Sequence, residues 1–173
     1  MRLIGFLFAL IAAMAIILAI ALGVPEVSGG HGFTHPLLET MERGGAGYAR
    51  VEGVLELGWA FGLAQILLFV GLLALGARTR RGLRGLGSGL VIGGLVYALV
   101  WTALVLAYRS YALGSDPALF LGFPVPTALL LFGLFPVPLI FLLLYVVGFE
   151  RWIATPSDLA ELERRLAELR RDS

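Results

Sequence analysis

The sequence predicts an all-α integral membrane protein: a four-transmembrane-helix bundle with both termini in the cytoplasm, followed by a short cytoplasmic amphipathic helix. Three observations carry that expectation. Four apolar stretches, at 3–22, 57–77, 90–108 and 126–148, hold no Asp, Glu, Lys, Arg or His. Each is long enough, at ~1.5 Å per residue, to cross the ~30 Å hydrocarbon core of a bilayer. The arginines gather on one side of the resulting topology, and a leucine-striped segment follows the last stretch.

The first stretch has features of a signal peptide. Arg2 gives a short positive start, and Ala19-Ile20-Ala21 has the small-residue pattern of a cleavage site. Its apolar run is longer than the usual ~7–15 residues of a signal core, so it reads as a retained span. The remaining stretches need no such test, because polar loops bound them on both sides.

Orientation follows from arginine. The link between the second and third stretches carries Arg78, Arg80, Arg81 and Arg84 and no acidic residue. Short loops of this kind stay in the cytoplasm. With four spans, Arg2, Arg151, Arg164, Arg165, Arg170 and Arg171 fall on the same side, while Arg43, Arg50 and Arg109 fall outside. The first outer loop, 23–54, has glycines at both ends, and Pro36 in the first turn predicts a short helix over about 36–43. The second outer loop, 109–123, contains Gly114-Ser115-Asp116-Pro117 and reads as turns.

The chain thus divides into a membrane domain, 1–150, and a tail, 151–173. Trp152 suits the headgroup level. Thr155-Pro156-Ser157-Asp158 reads as a helix start, with Thr as cap and Pro in the first position. Leu159, Leu162, Leu166 and Leu169 then recur at spacings of three and four, forming one stripe, and Glu161 can pair with Arg165 a turn later. Two heptads are too short to be stable alone, so the stripe must rest on lipid, on the protein's own loop or on a partner.

Composition agrees with a membrane protein and removes several kinds of chemistry. Of 173 residues, 59% are hydrophobic and 14% charged, where a soluble domain has about half and about a quarter. The absence of cysteine excludes disulfides, thiolate metal sites and cysteine nucleophiles. All basic residues are Arg; with abundant Ala, Gly and Leu, this suggests a GC-rich bacterial genome and hence a bacterial cytoplasmic (inner) membrane. There is no phosphate-binding loop, no HExxH, no Ser-His-Asp pattern and no nucleic-acid patch, and no cofactor is expected. The Arg80-Arg81 pair suits anionic lipid as well as topology.

Within the spans the notable residues are packing devices. Gly85, Gly89 and Gly93 lie four apart, with Gly94 beside them; Gly58 and Gly62 repeat the spacing in the second span. Small faces let helix backbones approach closely in lipid, either within the chain or at a subunit interface. In the fourth span Pro136 and Pro138 remove two backbone donors, which predicts a kink or unwinding. Carbonyls released there could be satisfied by a neighbouring helix, by Thr127 or Gln65, or by water, and broken helices also form ion sites in transporters. Gln65 is the one strongly polar side chain deep in a span besides hydroxyls, and an interhelical hydrogen bond is its expected role.

The remaining candidates lie at the outer face. His31, His35, Glu39 and Glu42 are ligand types for zinc or copper, though solvated or capping roles fit as well. Glu52 and Glu56 share one face if helical. With Arg50 or Arg109 they form a charge network, a cation site or an acid–base pair.

The leading expectation is a non-catalytic accessory or structural subunit of a larger membrane complex, such as a solute symporter or respiratory assembly. Its expected partners are the lipid bilayer and either a membrane protein or further copies of the chain, with no nucleic acid. Two alternatives stand beside it. One is a small homo-oligomeric transporter or channel using Glu52, Glu56 and the broken span. The other is an outer-leaflet enzyme or a metal-, lipid- or quinone-binding protein using the His and Glu residues.

Overall fold

The computed structural model describes residues 2–25, 33–34, 37, 42–43, 51–77, 86–113, 118–148 and 156–171. Its helices are α1 (Arg2–Leu22), α2 (Leu55–Gly76), α3 (Leu86–Leu113), α4 (Val125–Ala128), a π-helical segment (Leu129–Leu134), α5 (Val137–Gly148) and α6 (Pro156–Arg171). Four helical segments are long and apolar enough to cross a membrane: α1, α2, α3, and the run Val125–Gly148.

The third span exceeds its apolar stretch at both ends, beginning at Leu86 and ending at Leu113. Hydropathy marks where a helix can sit in hydrocarbon, not where it stops. Arg109 and Ser110 are compatible with helix at a membrane surface, and the helix continues through Leu113.

Two short hairpins join the helices. In the first, β1 (Phe33–Thr34) pairs antiparallel with β2 (Glu42–Arg43), with Phe33 opposite Arg43. The expected helix over about 36–43 lies mostly outside the described residues; at the end of that range Glu42 and Arg43 are strand. In the second, β3 (Leu119–Phe120) pairs with β4 (Phe123–Pro124) around a two-residue turn. Leu121 and Gly122 both have positive φ, 53° and 81°, as the tight hairpin turn that matches strand twist requires.

The principal helix contacts follow chain order: α1 on α2, α2 on α3, and α3 on α4, the π-helical segment and α5. Leu7 is the buried residue of α1. It sits over Gly71, where a Cβ would come within 2.6 Å of its Cδ2, and Val24 lies over Gly53 near the other end. Most of α1 is exposed, and its principal contact is with α2.

The core lies where α2 ends and α3 begins. Ala77, Leu86, Leu90, Val137 and Phe141 are buried together. Phe141 stands edge-on to Phe69, with ring centroids 5.3 Å apart, and Tyr97 completes the group at 6.4 Å from Phe141. Gly93 and Gly89 admit Phe141 and Leu144 against α3. This interlocking of rings and glycines packs α2, α3 and α5 against one another, the kind of contact on which helix association in lipid depends.

The proline break takes a definite form. Pro136 and Pro138 cannot donate to the carbonyls of Phe132 and Leu134, as an α-helix requires. The chain responds by widening one turn before the prolines: Phe135 N–H reaches past Leu131 to the Leu130 carbonyl at 3.0 Å, a π-type bond. After the turn, Leu139 N–H bonds the Pro136 carbonyl at 3.0 Å, and α5 resumes.

Candidate functional site

Two clefts flank Trp101, between the middle of α2, the middle of α3 and the widened turn. Trp101 is held in place from two directions. Its Nε1–H donates to the Trp59 carbonyl at 3.0 Å. Its ring covers Gly62, where a Cβ would fall far inside van der Waals contact. A second bond runs the other way, Trp59 Nε1–H donating to Thr102 Oγ1 at 3.1 Å. The two bonds tie α2 to α3 with indole donors.

On one side of Trp101 a cleft of about 260 Å³ is lined by Gln65, Phe69, Tyr97, Leu134 and Pro138, among others. The amide of Gln65 is exposed there, with no hydrogen bond among the described residues. Leu134, whose carbonyl loses its helical donor to Pro138, borders the same space. On the other side a more apolar cleft of about 340 Å³ is lined by Leu104, Tyr108, Pro126, Thr127 and Leu130. Neither lining contains Asp, Glu, His, Lys or Arg. The polar chemistry on offer is one carboxamide, two phenol hydroxyls and the Thr127 hydroxyl, set in a largely apolar wall, which suits neutral groups.

The other predicted candidates are dispersed. Glu56 opens α2 and lies 3.9 Å from Arg109 at the far end of α3, both side chains more than half exposed. Exposed pairs of this kind are worth about 0–1 kcal/mol. Glu52 is exposed and lies in the turn before α2, not on the helix; Leu55 N–H bonds the Val51 carbonyl across that turn at 2.8 Å. Glu52 thus precedes the helix that carries Glu56. His31, His35, Glu39, Arg50 and Gly85 lie outside the described residues, as does the Glu42 side chain. Among the described residues no group of three His, Asp or Glu could hold a metal ion.

The glycines divide by use. Gly62, Gly89 and Gly93 each receive a large side chain of this same chain, whereas Gly58 has open space where its Cβ would be. Gly94 against Val70, Gly71 against Leu7 and Gly133 against Val100 serve the same purpose. Spacing identified a small face but not the tryptophan that fills it. The bond from Trp101 to α2 had a signal of its own: an indole placed well inside an apolar stretch needs an acceptor.

In α6, Leu159, Leu162, Leu166 and Leu169 are all exposed, by 47–68%. Glu161 binds Arg165 at 2.9 Å and Arg164 at 2.6 Å, so its charges are paired along the helix while the leucines face outward.

No protein-family model, curated protein or solved structure matches this chain.

Proposed function

We propose that this chain is a non-catalytic accessory subunit that docks onto a larger complex in a bacterial cytoplasmic membrane, both termini facing the cytoplasm. The observation that carries the reading is the leucine stripe of α6, exposed along its whole length. A helix of two heptads with low intrinsic stability needs a surface to rest on. Further support comes from α1, most of which is exposed, and from Gly58, where among the described residues nothing lies within reach of an added Cβ. The clefts beside Trp101 contain no ionisable side chain except the phenols, which fits a protein that does not move charge. The orientation rests on the four arginines between α2 and α3.

Affinity purification of the tagged chain from its native membrane in mild detergent tests the reading. A second polypeptide in fixed ratio is the expected result. Recovery only as a monomer or as a homo-oligomer would overturn it.

A further inference from the structure

We infer that α6 docks against one parallel helix of another protein, carrying basic residues beside its first heptad and acidic residues beside its second; this rests on the accessory-subunit reading. The argument starts from the shape of the stripe. With Leu159 and Leu166 at a positions and Leu162 and Leu169 at d, no other core-type position holds a large apolar side chain. A strict a/d seam is the narrow contact of a two-helix coil, whereas a helix lying in a membrane surface presents a wider apolar face with basic flanks. Net charge points the same way. Asp158, Glu161, Glu163 and Glu168 balance Arg164, Arg165, Arg170 and Arg171 within the helix, so anionic lipid exerts no net pull on it.

A second copy is disfavoured by the residues that flank the seam. By register, Asp158 and Arg165 are at g, and Glu163 and Arg170 at e. In a parallel pair, g faces the following e of the other helix. Asp158 would then meet Glu163 of a second copy, and Arg165 would meet Arg170. In the antiparallel pairing with full overlap, Glu163 meets Glu163 and Arg165 meets Arg165. Like charges meet in both arrangements. Inverting those four charges on the opposing helix turns every flanking contact attractive. The parallel sense is part of the inference: α6 is tethered at its N-terminus, eight residues after α5 ends, and a helix continuing from a neighbouring protein's last span would be tethered at the same end.

The chain has no cysteine, so Leu162→Cys places a single thiol on the seam. The full-length variant in zwitterionic nanodiscs is equilibrated in a glutathione buffer with equal amounts of two peptides, each carrying a thiol at the same seam position. One has the α6 sequence. The other has its flanking charges inverted by Asp158→Arg, Glu163→Arg, Arg165→Glu and Arg170→Glu. Mixed disulfides with the inverted peptide should exceed those with the α6 peptide by about tenfold or more at low salt. Adding Glu163→Arg and Arg170→Glu to the full chain should level the two adducts, because each peptide then meets two attractive and two repulsive flanks. A ratio near one for the unaltered flanks, or a preference for the α6 peptide, would overturn the inference. A flat ratio with a second subunit still copurifying would remove this seam and leave the accessory reading intact. A strong preference with no copurifying subunit would keep the seam and remove that reading.

Discussion

Trp101 covers Gly62 so closely that no other residue fits beneath it, and the same indole donates to the Trp59 carbonyl three residues before that glycine. One side chain therefore sets both the approach of α2 to α3 and the wall between the two clefts. Gly62→Ala should displace the indole, break its bond, and lower stability by about 1–3 kcal/mol, the usual cost of overpacking. Gly58→Ala, one turn earlier with open space at its Cβ, should be neutral or stabilising by up to about 1 kcal/mol, since Ala favours helix over Gly. Unfolding in SDS followed by circular dichroism compares the two.

The reciprocal bond, Trp59 to Thr102, permits a double-mutant cycle. Trp59→Phe and Thr102→Val each remove one partner, and their coupling should be about 0.6 kcal/mol, the average for hydrogen bonds between helices in a bilayer. Additive single effects would mean that the bond contributes nothing.

The core should respond unevenly along the fourth span. Phe141 is 4% exposed and packs edge-on to Phe69, so Phe141→Ala should cost about 3–5 kcal/mol. Phe135, 67% exposed beside the break, should tolerate Ala with a change of less than about 0.5 kcal/mol. Thermal unfolding in detergent distinguishes them.

Replacing Pro136 and Pro138 together with Ala restores two backbone donors. The run Val125–Gly148 should then become continuous α-helix, with slower amide exchange at positions 135–139 and a smaller cleft beside Gln65. Exchange rates unchanged from the natural sequence would show that the widened turn has another cause.

How far the sequence reached can be judged from these same elements. The four long helices were legible because the bilayer demands long apolar runs. The break was legible because proline lacks a donor, but its conversion into a wide turn before Pro136 depends on where Phe135 finds an acceptor. The glycine faces were visible as spacing; that Trp101, Phe141 and Leu144 fill them depends on how helices separated by loops align. The strand at Glu42–Arg43 was not legible, because its pairing with Phe33–Thr34 is a contact between separated loop segments that local propensity does not describe. Glu52 lies in the turn before α2, which begins at Leu55.

Topology has its own test in a chain without cysteine. Glu168→Cys in α6 should be inert to a membrane-impermeant maleimide in intact cells and react in inverted vesicles. Glu52→Cys should show the opposite pattern. Both sites reacting from the same side would contradict the three crossings that the four-span topology places between them.

Native mass spectrometry of the chain purified from its own membrane tests the accessory role most directly. The account predicts the mass of this 18.5 kDa chain together with at least one different polypeptide, in a fixed ratio that persists on dilution. A spectrum containing only the chain alone or multiples of it would contradict the account.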